Sequence, residues 1–174
     1  MLLFGLGGLG FNGLQIVLKA IGARVIVSDI RQECLDAAAA LGVPQRDIVP
    51  VGKSVPEWVA EQGLTDAIDT TLDFVGSEQT FQDAQAVVRR AGKMVCVGTF
   101  ALHNSINMKT GIRKRLSIIF SYGGQTRDLE DALGAIAKGT IAPQVQTGKL
   151  RDFDTVLRDL CDGKLTGRTA LTPE

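Results

Sequence analysis

A glycine-rich turn close to the start of the chain constrains the fold more than any other feature. Leu3 and Phe4 lead into Gly5-Leu6-Gly7-Gly8-Leu9-Gly10, an apolar helical pattern follows, and Val25-Ile26-Val27-Ser28-Asp29 comes next. The order reads as strand, glycine turn, helix, strand, acid. Leu14, Val17, Leu18 and Ile21 recur at helical spacing, so a helix over roughly 8–20 is expected to lay that stripe on a sheet.

Gly5, Gly7 and Gly10 fit the spacing G-x-G-x-x-G. The first glycine lets the chain turn out of the strand. The second leaves room for a pyrophosphate against the backbone, and the third lets the helix pack closely on the sheet. The N–H groups and dipole at the start of that helix favour a phosphate's charge. Asp29 follows Gly10 by nineteen residues. An acid about that far on accepts hydrogen bonds from the adenosine ribose of a dinucleotide. Its charge repels the extra phosphate of NADP, so NAD is the expected cofactor; Arg31 argues mildly the other way.

Strand and helix patterns then alternate. Helices are expected at 31–41, at 55–62 with Pro56 in the first turn, and at 77–90 with Ser77 as N-cap. Strands are expected at 47–51, 70–75, 94–97 and 116–120, and a loop-like connection at 99–114. Alternation of this kind implies an α/β fold, a Rossmann doubly wound parallel sheet with helices on both faces. Gly76 and Gly98 each close a strand at the edge where ligands of such sheets lie. From Thr126 the pattern changes to a helix (126–138), a segment 145–150, a helix (152–161) and a last strand near 168–171. The chain therefore divides into a cofactor-binding domain, 1–125, and a C-terminal helix-strand appendage, 126–174. The appendage is amphipathic; its apolar faces either wrap the chain's own sheet or meet a partner surface.

The length of 174 residues fits one domain with an appendage. Nineteen basic and nineteen acidic residues balance, so no field of one sign steers the chain to nucleic acid or an anionic membrane. Arg113-Lys114-Arg115 is the densest basic run and reads as a solvated loop. The first eighteen residues carry no charge, yet five glycines, Asn12 and Gln15 interrupt them and no basic segment precedes them. A signal peptide or membrane helix is therefore not expected, and a cytoplasmic location is. Cys34, Cys96 and Cys161 are scattered and read as buried or half-buried structural thiols.

The residues Gly5–Gly10, Ser28-Asp29, Asp73-Phe74-Val75-Gly76, Val97-Gly98-Thr99 and Gly163-Lys164-Leu165-Thr166-Gly167-Arg168-Thr169 stand in the order found in zinc-type medium-chain alcohol dehydrogenases. Ile119-Phe120-Ser121-Tyr122 resembles the same family. The resemblance covers nearly the whole chain but only the C-terminal, cofactor-binding half of a full-length member. It implies NAD(H) binding and hydride transfer between nicotinamide and an alcohol or carbonyl. By analogy Leu9 packs beside the nicotinamide, Asp29 takes the ribose, and Val97, Gly98 and Thr99 flank the carboxamide. Arg168 pairs with the pyrophosphate, as a forked guanidinium does well. Leu6, Gly8, Ile30, Arg31, Val75, Gly76 and Phe120 complete the cofactor site by the same analogy. In the family, copies pair through the edge of the sheet, here the apolar Leu116–Phe120 segment.

Zinc-type members hold a catalytic zinc with cysteine and histidine in an upstream domain, where it polarises the substrate oxygen. His103 in the long loop is the single histidine and the cysteines are scattered, so no zinc is expected to be bound by this chain. The first strand is also a residue or two short for the family, which implies a truncated piece of a longer polypeptide, inactive alone. Two alternatives stand beside this reading: a stand-alone nucleotide-binding or interaction module, and a fragment of an NADPH-dependent medium-chain reductase. A methyltransferase is disfavoured, because Leu2, Leu3 and Phe4 precede the glycines where such enzymes carry an acid.

Overall fold

In the computed structural model, residues 1–165 and 167–173 are described. Five strands, β1 (Leu2–Phe4), β2 (Ile26–Ser28), β3 (Ile68–Asp73), β4 (Val88–Cys96) and β5 (Ser117–Phe120), form one sheet in the order β2-β1-β3-β4-β5. Every neighbouring pair is parallel. Phe4 stands opposite Ser28 on one side and Asp73 on the other, so the carboxyl ends of β1, β2 and β3 lie level.

Side chains of a strand alternate between faces, and the short, wholly buried β1 feeds both. Leu3 packs with Leu14 of α1 (Gly10–Ile16), with Val17 just beyond it, and with Cys34, Leu35 and Ala38 of α2 (Gln32–Ala40). Leu2 and Phe4 pack with Trp58 and Val59, and with Phe81 and Ala84, from α3 (Val55–Glu61) and α4 (Glu78–Val87). One helix pair thus covers each face of the sheet, as the alternation predicts.

The first helix departs from the expected pattern. After Ile16 the chain widens into a π turn over Val17–Ile21, closed by the Gly22 N–H donating to the Val17 carbonyl at 2.9 Å. Within and beyond the wider turn Leu18 is half-buried and Ile21 exposed, while Gln15, ahead of it, is buried.

The expected strand at 47–51 is reduced to a single bridge between Ile48 and Val27. A 3-10 turn at Gln45–Asp47 precedes it, and Pro50 accepts the Lys53 N–H at 3.1 Å after it. Asp47 meanwhile turns its carboxylate onto Arg24, 2.6 Å away. The helix expected to reach residue 90 stops at Val87, because Val88 is already extended and opens β4.

The connection 99–114 is not all loop. It holds α5 (Met108–Lys114), capped by the Asn107 side chain, which accepts the Thr110 N–H at 3.0 Å. The basic run is the end of that helix, not a free loop. Lys114 donates to the carbonyls of Gln85, Ala86 and Val88 at 2.7–3.2 Å, satisfying the C-terminus of α4. Burial lowers the Lys114 pKa from the usual lysine value.

The appendage comprises α6 (Thr126–Ala137), β6 (Val145–Lys149), α7 (Phe153–Cys161) and β7 (Arg168–Thr172), with β6 and β7 paired in parallel. It does not wrap the sheet. Leu129, Leu133 and Ile136 of α6 and Phe153, Leu157 and Leu160 of α7 are exposed, as is Cys161, against the expectation of a buried or half-buried thiol. The appendage is moored instead by Gln15, whose side chain donates to the Ala142 carbonyl at 3.2 Å and accepts the Ala142 N–H at 2.8 Å. Ile141 beside it is buried.

Candidate functional site

The order of the sheet reverses between β1 and β3: α1 leads from β1 to β2 on one side, while α4 leads from β3 to β4 on the other. At that point the turns leaving the two strands diverge and open a crevice, the usual ligand position of an open α/β sheet. The glycine turn forms one lip. A Cβ on Gly10 would overlap the Gly5 carbonyl oxygen, so this crossing is closed to every other residue. Gly5 itself has φ +82°, and a Cβ there would fall 2.6 Å from the Val75 side chain. The spacing of these two glycines is thus a packing requirement of the β1–α1 junction.

Asp29 lies just past β2 and folds back under the turn. One carboxylate oxygen accepts the Leu6 N–H at 2.6 Å, and the other accepts the Arg31 N–H at 2.9 Å. The carboxylate is almost wholly buried, and the Arg31 guanidinium stands beside it, Nε 3.5 Å away. That guanidinium also reaches the turn, 3.7 Å from where a Cβ on Gly7 would sit. A carboxylate has about four acceptor positions, so the two N–H groups leave room for further donors. Ile30 is almost fully exposed beside it.

Arg168 comes to the same lip from the far end of the chain. A Cβ on Gly8 would meet its Nε at 2.8 Å and the Gly167 carbonyl at 2.8 Å. The Arg168 N–H is held by the Gln144 carbonyl at 2.8 Å, which fixes β7 to the segment before β6. Of the closing motif, Thr166 lies outside the described residues. Gly5, Leu6, Gly7, Gly8, Leu9, Gly10, Asp29, Ile30, Arg31 and Arg168 are thus gathered around one turn, with Leu9 half-exposed on its rim.

The remaining residues line the second half of the crevice, a cleft of about 490 Å³ beyond β3, β4 and β5. Gly76, Val97, Gly98, Thr99 and Phe120 all border it, and His103 stands exposed at its mouth. Val75 lies just behind, its carbonyl accepting the Phe100 N–H at 3.1 Å. Gly76 and Gly98 touch backbone to backbone, so a Cβ on either would overlap the other loop. Cys96 at the cleft floor is buried. Desolvation, with the Asp73 charge adding, pushes its thiol up to about 11, so it stays protonated at neutral pH. Among the described residues no group of three or more His, Cys, Asp or Glu side chains is arranged to hold a metal ion.

One member of this region stands in a motif of the sequence, but the resemblance gives it no part in the site. Asp73 ends β3 at 2% exposure, lines the cleft, and accepts hydrogen bonds from both loops above it. The signal was present in the run Asp73-x-x-Gly76 followed by Ser77 and Thr80, an acid placed to cap the turn into α4.

Comparison with known proteins agrees with this geometry. Residues 8–138 match the family model described as zinc-binding dehydrogenase. An alcohol dehydrogenase of Geobacillus stearothermophilus is 28% identical over 169 residues, covering 97% of this chain and 49% of that protein. Among solved structures, the alcohol dehydrogenase of Aeropyrum pernix superposes with a TM-score of 0.88 at 26% identity, covering 99% of this chain and 49% of the other. Acetophenone reductase from Geotrichum candidum, in complex with NAD, superposes at 0.82 with 24% identity, covering 96% and 46%. The chain spans about half the length of the relatives it matches. A family model covering most of the sequence, on a parallel sheet with a glycine-lined crevice at its switch point, establishes that this chain belongs to the zinc-binding dehydrogenase family.

Proposed function

We propose that the crevice binds NAD(H) and that the chain supplies the cofactor half of a hydride transfer between nicotinamide and an alcohol or carbonyl. The observation that carries this reading is the convergence of a bare glycine turn, a buried carboxylate and a guanidinium on one lip. Gly8 has no side chain where Arg168 lies, and the turn is lined by main chain, which suits a diphosphate. Asp29 already takes both N–H groups and the Arg31 Nε, and keeps an acceptor position for a ribose hydroxyl.

When bound, the nicotinamide ring gives or takes the hydride. This chain's residues do the holding. Arg168 offers a fork to diphosphate oxygens, and Asp29 orients the adenosine sugar. Val97, Gly98 and Thr99 offer main chain and a hydroxyl to the carboxamide, with Val75, Gly76, Leu9 and Phe120 bordering the ring. The described residues hold no metal-ligand cluster, so no step is assigned to zinc here. We propose accordingly that the 174-residue chain binds the cofactor and does not turn over alcohol alone. Sustained alcohol oxidation by the purified chain would overturn that.

NAD is favoured over NADP because the Asp29 charge faces the place where a 2′-phosphate would stand, and the Arg31 guanidinium is already engaged beside it. The test is Asp29→Asn, titrated with NADH and NADPH. A hydrogen bond to a charged group contributes about 1.5–3 kcal/mol, so NADH should weaken about tenfold and the preference for it should narrow. An unchanged preference would remove Asp29 from the ribose role.

We propose further that two copies meet along β5. Its outer edge has no partner strand among the described residues, and Ile119 and Phe120 are exposed beside it. Sedimentation of the chain, with Ile119→Lys as the disrupting variant, tests this.

A further inference from the structure

Within the cleft one residue ties two walls together. The Asp73 Oδ1 accepts the N–H groups of Val75 and Gly76, each at 2.9 Å. Its Oδ2 accepts the Thr80 hydroxyl at 3.0 Å. Its main-chain carbonyl accepts the N–H groups of Val97 at 2.9 Å and Gly98 at 3.0 Å. The two loops are then cross-linked, since the Gly76 carbonyl accepts the Ala101 N–H at 2.9 Å. Among the described residues Asp73 is the one carboxylate on the cleft lining.

A ligand entering this cleft meets main chain at Gly76 and Gly98, which have no side chains to adjust. Where a wall is backbone, its position is set by the hydrogen bonds behind it. A carboxylate buried to this degree is costly unless its oxygens are satisfied, and three donors satisfy these. The carboxylate thus holds the Val75–Gly76 turn, the main-chain carbonyl of the same residue holds the Val97–Gly98 turn, and the Gly76–Ala101 bond passes a shift of the first turn to the second. The adenosine half of the site is built separately, around Asp29, on the far side of β1.

We propose that Asp73 is a positioning residue for the nicotinamide half of the cofactor, acting through the main chain of Val75–Gly76 and Val97–Gly98. The inference rests on the dinucleotide reading above and adds to it that the two halves of the site are separable. The Asp73 carboxylate is taken up by Val75, Gly76 and Thr80, so it acts through the surface they form.

The test compares NADH with ADP-ribose, which lacks the nicotinamide, by calorimetric titration of the full 174-residue chain. Asp73→Ala should weaken NADH about tenfold while ADP-ribose stays within twofold. Asp73→Asn should rescue NADH to within threefold. Its amide oxygen still accepts from Val75 and Gly76, its NH2 can donate to Thr80, and the Thr80 proton can turn to the Ser77 carbonyl, already 3.2 Å away. Thr80→Val, which leaves the Oδ1 bonds intact, should lower the ratio of NADH to ADP-ribose affinity about threefold. Should Asp73→Ala fail to fold, Thr80→Val carries the test, and an unchanged ratio there overturns the proposal. Equal weakening of both ligands, no weakening of either, or an Asn variant as impaired as Ala would also overturn it. If the unaltered chain binds both ligands equally, this proposal alone falls. If it binds neither, the dinucleotide reading falls first and takes this one with it.

Discussion

The two halves of this molecule use the same kinds of residue to opposite ends. In the sheet domain, Leu2, Phe4 and Ile68 of β1 and β3 turn into one core, and Leu3 and Leu72 into the other. In the appendage, helices more amphipathic than α2 and α4 of the sheet domain leave Leu129, Leu133, Phe153, Leu157 and Leu160 in the open, and Ile141 is the one buried apolar residue among those described. The sheet domain holds itself together. The appendage is held by polar contacts at a few points, yet one of those points brings Arg168 to the glycine turn. The core that holds the fold therefore lies in the sheet domain, while the appendage adds Arg168 to the site, and substitutions should separate the two contributions.

The largest effect is expected in the core. Phe4→Ala should cost about 3–5 kcal/mol in denaturant unfolding, whereas Leu133→Ala on α6 should stay within about 0.5 kcal/mol. Comparable losses at the two sites would erase the contrast. Next comes the mooring. Gln15→Leu removes both bonds to Ala142; Ala142 is exposed and water can replace them, so the loss should be about 0.5–1.5 kcal/mol per bond. Limited proteolysis should then cut between residues 138 and 150 faster, while the sheet domain stays resistant. Arg168→Ala should leave the unfolding midpoint unchanged and weaken NADH about tenfold, through loss of a charge-assisted pair. A shifted midpoint with unaltered affinity would reverse the assignment of roles.

The smallest expected effect is a pH dependence. Burial raises the Cys34 thiol above its ordinary value and the Cys96 thiol to about 11. A group whose folded pKa lies above its unfolded one supports the fold fully below the unfolded value and loses that support as pH rises. Stability should therefore decline between about pH 9 and 11. At pH 8 a thiol reagent should label the exposed Cys161 and spare Cys34 and Cys96 until the chain is unfolded, which mass spectrometry would read directly.

The glycine turn, the helix behind it and Asp29 were legible in the residues because the chemistry there is local: each depends on neighbours within thirty positions. The same holds for the Ser77 cap and the order of alternation. What escaped reading depends on contacts between distant segments. Whether 47–51 makes a strand depends on how the turn at Pro50–Lys53 closes, and a single bridge to Val27 is what remains. The α5 helix follows a cap at Asn107, but Gln82 and Gln85 also stitch the segment before it to α4 through the Ser105 carbonyl. The contact of Arg168 with Gly8 spans almost the entire sequence, so only resemblance hinted at it. Asp73 read as part of a motif, and its reach to two loops appears only once β3 and β4 lie side by side.

The backbone contact between Gly76 and Gly98 bears on anyone wishing to retool this protein. Two main chains that touch leave no room for a mutated side chain to enlarge, shrink or recharge that stretch of wall. Variation in what the cleft accepts must come from its outer border, at Thr99, His103 and Phe120, where side chains project and can be exchanged. A library directed there keeps the inner frame intact; one directed at the glycines spends its diversity on misfolded chains.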